Sequence, residues 1–325
     1  MSQVFIGTCS WTDKQLINAA TFYPKINMTA EGRLRWYSHI FPIVEVDSSY
    51  YAIPSVANAC RWAERTPNTF QFHLKMFRLF TGHWCEKSVL PKDLQKLAPD
   101  DSSGRNRFYL LPRDSSSGQG CSSELSDELI DRFIQAALVL ESYGKLGVIL
   151  LQLAPWVTPT KRYYDYLLWI RKKLEHLKVA IEFRNPAWIH ESLLQHTLSW
   201  LHHYDFSYVS VDAPQGTQTS MPPLALATNE IAYVRLHGRN LSTWQTPVEH
   251  TWERFDWYYT EKELNEWVPR IRTLEERANE VHVLFNPNRS DQGPHGALLL
   301  AKILGDSGVK QPGLNAPLMK SMDLS

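Results

Sequence analysis

Short apolar runs alternate along the chain with longer amphipathic stretches, and this alternation limits the folds that the sequence can adopt. Eight runs are typical of buried strands: 4–9, 43–47, 70–75, 148–153, 179–183, 208–212, 232–237 and 281–286. Amphipathic stretches typical of helices lie between most of them: 30–41, 55–65, 124–143, 160–176, 191–203 and 260–278. Strands that alternate with helices pair in parallel through crossover connections, and eight such units predict a closed (β/α)8 TIM barrel.

An open, doubly wound sheet is the competing α/β architecture. It would need a similar number of strands, but the first strand is followed by GTCSW (7–11), which lacks the glycine-rich fingerprint of a dinucleotide-binding fold. The 325 residues are enough for one large barrel. We therefore expect one α/β barrel domain over residues 1–305.

Two segments interrupt the regular pattern. Residues 78–123 contain two runs rich in Ser, Gly and Asp, which predict a long insertion after the third strand. We expect these runs to be more mobile than the barrel, and the LFTGH start (79–83) to lean over its mouth. Residues 306–325 are expected to form a C-terminal tail outside the barrel.

Composition excludes several classes of protein. Lys plus Arg and Asp plus Glu are equal at 34 each, so no global positive field exists to hold nucleic acid non-specifically. The four cysteines are scattered without a C-x-x-C pair, which argues against structural zinc and a disulfide framework. No signal-peptide pattern and no apolar run long enough for a membrane span are present. We expect a cytoplasmic protein without membrane contact.

Polar residues gather where the strands end, which is the catalytic end of a TIM barrel. In YVRLHGR (233–239), Arg235 and His237 share one side of the strand, while Val234 and Leu236 share the other. Similar strand-end positions are occupied by Glu45, Asp47, Lys75, Gln152, Glu182, Arg184, Asp212 and Asn286. Buried charges are costly unless they are paired or used, so we expect these side chains to meet in one cavity.

The residue types suggest roles in that cavity. Carboxylates and a histidine can act as acids and bases near neutral pH, which makes the candidate catalytic residues Glu45, Glu182, Asp212 and His237. Arginine and lysine can hold a phosphate or carboxylate group. The candidate ligand-binding residues are Trp11, Asp47, Tyr51, Lys75, His83, Gln152, Arg184, Arg235, Arg239 and Asn286. The structural alternatives are an interior Arg–Glu clamp for Glu182 and Arg184, and loop packing for Trp11 and Tyr51.

Several motifs together resemble a known family. They are GTCSW (7–11), FYP (22–24), VEVDSSYY (44–51), FQFHLK (70–75), LFTGH (79–83), LQLAPW (151–156), IEFRNPAW (181–188), YVRLHGR (233–239) and FNPN (285–288). In this order they resemble the YecE-like family, catalogued as domain of unknown function 72, over about residues 3 to 305. The resemblance implies a TIM barrel. The family has no established reaction, so the resemblance leaves the activity open.

Three functions remain open at this stage. The first is an enzyme, isomerase- or epimerase-like or a hydrolase, that acts on a small anionic, sugar- or phosphate-like metabolite. No cofactor is firmly predicted. A divalent metal would be held by Glu182, Asp212 and His237, as in the similar xylose-isomerase-like barrels, although Asn286 replaces the fourth acid. The alternatives are an endonuclease-like barrel that processes nucleic acid and a non-catalytic ligand-binding protein. The oligomeric state is not predicted.

Overall fold

The computed structural model describes residues 2–99, 107–111, 119–217, 220–244, 246 and 248–305. Its strands are β1 (Gln3–Thr8), β2 (Ile43–Val46), β3 (Gln71–Lys75), β4 (Cys85–Glu86), β5 (Arg107–Tyr109), β6 (Gln119–Gly120), β7 (Leu146–Gln152), β8 (Val179–Glu182), β9 (Phe206–Asp212), β10 (Ile231–Leu236) and β11 (Glu280–Phe285). Eight of them close a parallel barrel in the order β1-β11-β10-β9-β8-β7-β3-β2. The predicted (β/α)8 barrel is confirmed, and each barrel strand coincides with one of the eight apolar runs.

The helices are α1 (Lys14–Ala19), α2 (Ala30–Ile40), α3 (Val56–Glu64), α4 (Ser123–Ser142), α5 (Lys161–Leu174), α6 (Leu194–His203), α7 (Leu241–Trp244), α8 (Glu261–Asn265), α9 (Val268–Glu275) and α10 (Gln292–Leu304). Several begin at a side chain that caps free backbone N–H groups. Ser122 accepts from Leu125 at the start of α4, and Thr260 forms a capping box with Glu263 at the start of α8. Within the described residues, no helix combines the length and the apolar character that crossing a membrane requires.

The segment predicted as an insertion lies between β3 and α4. It begins with a 3-10 turn at Arg78–Thr81 and contributes a small three-stranded sheet of β4, β5 and β6 beside the barrel. Most of its Ser-, Gly- and Asp-rich sequence, at 100–106 and 112–118, lies outside the described residues. The predicted tail, residues 306–325, also lies outside them.

The register of the strands decides which side chains face the barrel interior. Arg235 is opposite Val211 of β9, and the next residue pair is Leu236 opposite Asp212. Residues opposite each other in a sheet share a face, so Arg235 points inward and Asp212 points outward with Leu236. At Gly7, where a Cβ would stand 2.2 Å from the carbonyl oxygen of Ile43, β1 and β2 approach too closely for a larger residue.

Candidate functional site

Arg235 forms two buried ion pairs across the barrel interior. Its Nη2 donates to Oε1 of Glu45 at 2.7 Å, and its Nη1 donates to Oε2 of Glu182 at 2.5 Å. All three side chains are 0 % exposed. Because an unpaired charge at this depth would cost several kcal/mol, each carboxylate depends on the shared guanidinium.

Glu182 is saturated by donors from β7, from β10 and from the residues that follow β8 and β10. Besides Arg235 on its Oε2, its Oε1 accepts from Gln152 at 2.7 Å, from Arg184 at 3.0 Å and from His237 at 3.1 Å. Burial raises the pKa of Glu182, but the nearby Arg235 and His237 outweigh it and hold the pKa well below its usual range. Glu182 is therefore an ionised carboxylate that orients other groups.

Glu45 has a different electrostatic environment. Its second oxygen accepts from the Tyr233 hydroxyl at 3.1 Å. Burial raises the pKa of Glu45, although the positive charges of Arg235 and Lys75 act in the opposite direction. The pKa values of the two carboxyl groups bound to Arg235 are thus shifted in opposite directions.

His237 is neutral, and both of its ring nitrogens are occupied. Burial lowers its pKa to about 4. Ionised Glu182 can only accept a hydrogen bond, so Nε2 of His237 carries the proton and donates to it. The other nitrogen, Nδ1, accepts from Nδ2 of Asn286 at 3.1 Å. His237 is therefore fixed in one tautomer between β8 and the end of β11.

Asp212 does not join this cluster, which corrects the expectation that it shares the cavity. It lies on the outer face of β9 and receives a bidentate contact from Arg239, with Nε–Oδ2 at 2.9 Å and Nη2–Oδ1 at 3.0 Å. The Tyr259 hydroxyl donates to it at 2.6 Å and Nε1 of Trp267 at 3.1 Å. Asp212 and Arg239 thus connect the barrel to its outer helices, and neither faces the interior.

The mouth of the barrel carries three cationic side chains. Lys75 pairs with Asp47, Nζ–Oδ1 at 2.6 Å, and Arg184 pairs with the already saturated Glu182. Arg78, in the turn after β3, has no carboxylate within ion-pair distance among the described residues. Positive charge is therefore incompletely neutralised at this end of the barrel.

His83 lies among these cations. Burial, followed by the charges of Arg78, Lys75 and Arg184 in that order of strength, lowers its pKa to about 3. The Thr81 hydroxyl contacts its Nδ1 at 2.8 Å and also donates to the Arg78 carbonyl at 2.9 Å. Since that hydroxyl has one hydrogen, His83 donates from Nδ1, and its Nε2 presents a lone pair without a partner in the described part of the chain.

Aromatic rings surround the cations. Tyr50 has Lys75 Nζ at 4.7 Å and the Arg78 guanidinium at 5.4 Å from its ring centre. The His83 ring stands edge-on to Tyr50 and to Trp156, both at 5.5 Å. These contacts place the end of LFTGH at the mouth, as expected from the sequence.

A second aromatic group approaches from the segment after β10. Trp244 lies 5.0 Å from the Arg184 guanidinium and 6.2 Å from the His237 ring. Trp11, in contrast, packs edge-on against Trp62 at 5.6 Å and Phe72 at 6.1 Å. The expectation that Trp11 forms a wall of the site is therefore corrected: its ring belongs to the layer outside the barrel.

A cavity of about 240 Å³ opens beside the cations, at the ends of β1, β2 and β11. Its lining includes Cys9, Asp13, Asp47, Tyr51, Asn286 and Asn288. Asp47 and Tyr51 were predicted from the sequence, and the tyrosine is 47 % exposed. The cavity and the mouth share Asp47, which lines the cavity and also binds Lys75.

A larger hollow of about 1240 Å³ lies at the opposite end of the barrel. It is lined by residues at the N-terminal ends of the strands, such as Gln3, Val179 and Glu280. In TIM barrels the reacting groups stand at the C-terminal ends, so volume alone does not make this hollow the candidate site.

The proposed metal ligands do not come together. Glu182 and His237 bond to each other, while Asp212 lies on the other side of the sheet. Across the described ranges, no group of three or more His, Cys, Asp and Glu side chains is arranged to hold a metal ion. The endonuclease-like barrels of the alternative function hold three metal ions in a histidine-rich cluster. The described residues therefore contain no counterpart of that cluster.

Sequence reasoning missed several members of the mouth. Arg78 interrupts the apolar run MFRLF (76–80) directly after a site-bearing strand, and this signal was available. Trp244 ends the short helix α7 and Asn288 follows β11, and the sequence does not specify the course of either segment. Tyr50 was not among the predicted site residues, yet its ring contacts both Lys75 and Arg78.

Comparison with known proteins assigns the family. The model described as "Protein of unknown function DUF72" matches residues 5–319. The chain belongs to the DUF72 family. The resemblance stated from the sequence motifs is therefore confirmed.

Relatives of this DUF72 protein extend over nearly its full length. The UPF0759 protein YunF of Bacillus subtilis (strain 168) is 29% identical over 302 residues, which cover 91% of this chain and 93% of that protein. A crystal structure of a DUF72 family protein from Enterococcus faecalis V583 has a TM-score of 0.72 and 25% identity, covering 93% of this chain and 95% of that chain. One from Thermotoga maritima MSB8 has a TM-score of 0.70 at 22% identity, covering 93% and 99%.

Proposed function

We propose that the protein is an enzyme that binds a small anionic metabolite at the mouth of the barrel and acts on it by proton transfer. The observation that carries this proposal is the group of Lys75, Arg78 and Arg184 around the neutral His83. These four side chains lie close to one another near the C-terminal ends of the strands, where TIM barrels carry their reacting groups.

The charge balance supports an anionic ligand. Including Arg235, four cations lie with the three carboxyl groups of Glu45, Asp47 and Glu182, and Arg78 pairs with none of them. A fourth carboxyl group, Asp13, lines the adjoining cavity, and burial raises its pKa. Glu45, whose pKa is raised, reduces the negative charge further whenever it takes up a proton. An anion at Arg78 and Arg184 would neutralise the surplus, and guanidinium groups suit the two-point binding of phosphate or carboxylate.

The proton-transfer part of the proposal rests on His83. Its Nε2 lone pair has no protein partner in the described residues, whereas both nitrogens of His237 are occupied. A general base needs a free acceptor within reach of the ligand. A bound anion would also raise the pKa of His83 from its low value of about 3, because it opposes the three cations.

The residues first considered catalytic take supporting roles in this proposal. Glu182 positions Arg184 and His237, and Arg235 keeps Glu182 ionised. Asp212 acts on the outer side of the barrel. A metal ion is not required by the proposal.

Binding is tested by calorimetry with inorganic phosphate, acetate and phosphate monoesters on the full chain. We expect Arg78→Gln to weaken the tightest of these ligands by at least tenfold. Arg35→Gln is the matched control, because Arg35 is an exposed surface partner of Glu31. Equal affinities in the wild type and in Arg78→Gln would contradict the anion site.

Proton transfer is tested by NMR in heavy water. The measurement follows the incorporation of deuterium at the C–H positions of the phosphate monoester that binds most tightly. We expect His83→Asn to retain binding and to slow the exchange by about 10²-fold or more. Binding without any exchange in the wild type would instead favour the non-catalytic ligand-binding protein.

A further inference from the structure

We propose that the 240 Å³ cavity beside the cations is a hydroxyl-binding subsite, so that the ligand is a polyhydroxylated anion of the sugar phosphate or sugar acid class. The inference rests on the proposed function for the anionic group and adds the chemistry of the rest of the ligand. Its basis is a set of hydrogen-bond acceptors on residues that line the cavity, none of which has a donor among the residues that the structure describes.

Asn286 presents its amide oxygen as a free acceptor. Ionised Glu182 fixes the proton of His237 on Nε2, so Nδ1 of His237 accepts. Asn286 must then turn its Nδ2 toward His237, at 3.1 Å. Its Oδ1 has no partner among the described residues, and a chain of hydrogen bonds from the barrel interior sets this orientation.

Asn288 presents a second acceptor. Its Nδ2 donates to Oδ2 of Asp13 at 3.2 Å, while Oδ1 of Asp13 accepts from the backbone N–H of Gln15 at 2.8 Å. The amide oxygen of Asn288 is buried and has no hydrogen-bond partner among the described residues. A buried acceptor without a donor costs about 1–3 kcal/mol, and a ligand hydroxyl would remove that cost.

Asp47 supplies a third acceptor and joins the two subsites. Its Oδ1 binds Lys75 at 2.6 Å, and its Oδ2 has no hydrogen-bond donor in the described residues. Tyr51 also lines the cavity and packs edge-on against Tyr50 at 5.0 Å, and Tyr50 lies beneath the cations. One small molecule can therefore place its anion at the cations and its body in the cavity.

Three acceptors that have no donor in the described part of the chain favour a ligand rich in donors. Hydroxyl groups supply donors without adding charge, and the neighbouring Asp47 is already neutralised by Lys75. The volume is below the roughly 300–1,000 Å³ of drug-sized pockets, which fits a metabolite of a few carbons. An apolar tail would leave the acceptors unpaired.

The test compares ligands that share an anion and differ in hydroxyl groups. Calorimetry on the full chain uses D-ribose 5-phosphate, D-glucose 6-phosphate and D-gluconate, against inorganic phosphate and n-hexyl phosphate. We expect the tightest polyol anion to bind at least tenfold better than n-hexyl phosphate. Asn288→Ala should abolish that preference and leave the affinity for inorganic phosphate within twofold. Asn265→Ala, which removes a surface amide on α8, is the matched control.

The outcomes separate the two proposals. Equal binding of n-hexyl phosphate and the polyol anions overturns the hydroxyl subsite while phosphate binding sustains the anion site. A polyol preference that survives in Asn288→Ala also overturns the assignment to this cavity. If phosphate does not bind but xylitol binds and is lost in Asn288→Ala, the subsite stands and the anion site fails. Absence of binding for every probe overturns both. Gluconate against the sugar phosphates distinguishes carboxylate from phosphate as the anion.

Discussion

Arg235 is the residue on which the charged interior of the barrel depends. Its Nη1 and Nη2 atoms pair with Glu182 and Glu45, and all three side chains are shielded from water. Its Nε has no partner among the described residues, so within them this arrangement leaves one buried donor unsatisfied. Such a cluster contributes less by its own net energy than by the penalty that appears when one member is removed.

We therefore expect Arg235→Met to lower the free energy of unfolding by about 3–5 kcal/mol, because two carboxyl groups lose their shared cation. Urea denaturation followed by circular dichroism measures the change. The exposed Arg35→Met should change it by no more than about 0.5 kcal/mol. Adding Glu45→Gln and Glu182→Gln to Arg235→Met should recover part of the loss. A cost below about 1 kcal/mol for Arg235→Met would show that the interior tolerates the unpaired carboxyl groups.

The comparison with His237 uses the same measurement. His237→Ala removes one of four donors to Glu182 and leaves its other three in place. It should cost less than Arg235→Met. Should His237→Ala unfold more easily, the imidazole and not the guanidinium would be the main support of Glu182.

At the scale of elements, the apolar runs predicted the eight barrel strands because each strand is buried on both faces and bounded by polar residues. The alternation in YVRLHGR also predicted correctly that Arg235 and His237 share a side opposite Val234 and Leu236.

Asp212 was misplaced for a physical reason. Adjacent barrel strands are staggered, so a polar residue at the end of a strand can face the barrel interior or the surrounding helices. The register between neighbouring strands decides which, and the sequence of one strand does not contain that register. Contacts made by the segments that connect the strands, such as Trp244 of α7 against Arg184, are likewise set by tertiary packing.

The outward position of Asp212 gives β9 a specific structural task. It receives hydrogen bonds from Arg239, Tyr259 and Trp267, and the Tyr259 hydroxyl also accepts from the backbone N–H of Gly238 at 2.9 Å. Gly238 has a φ of +86°, a conformation in which a Cβ would be strained. The hydrogen bonds from Asp212 through Tyr259 to Gly238 therefore fix the sharp turn that follows β10.

We expect Asp212→Ala to lower the free energy of unfolding by about 3 kcal/mol, because Arg239, Tyr259 and Trp267 lose a buried acceptor. Tyr259→Phe should cost about 1–2 kcal/mol, and the double variant should cost less than the sum. Thermal and urea unfolding measure these changes. Phosphate affinity in Asp212→Ala, measured where the variant is folded, should remain within a few-fold of the wild type. Loss of phosphate binding without loss of stability would instead place Asp212 at the ligand.

For the whole molecule, charge balance and the confined mouth separate a small-ligand barrel from one that processes nucleic acid. Positive and negative side chains are equal in number over the full chain, and the mouth cations lie within aromatic walls beside a cavity of about 240 Å³. A strand of nucleic acid is held by many phosphate contacts and releases a counterion at each of them.

We therefore expect a 20-nucleotide single strand to bind no more tightly than a single phosphate monoester. The logarithm of its association constant should fall with the logarithm of salt concentration with a slope near that of one or two phosphates. Fluorescence anisotropy between 50 and 300 mM salt measures this slope, with Arg78→Gln as the variant that should weaken both ligands alike. A steep slope of about −4 or beyond, retained in Arg78→Gln, would indicate an extended phosphate-binding surface. That result would favour the nucleic-acid-processing alternative over the small-metabolite enzyme.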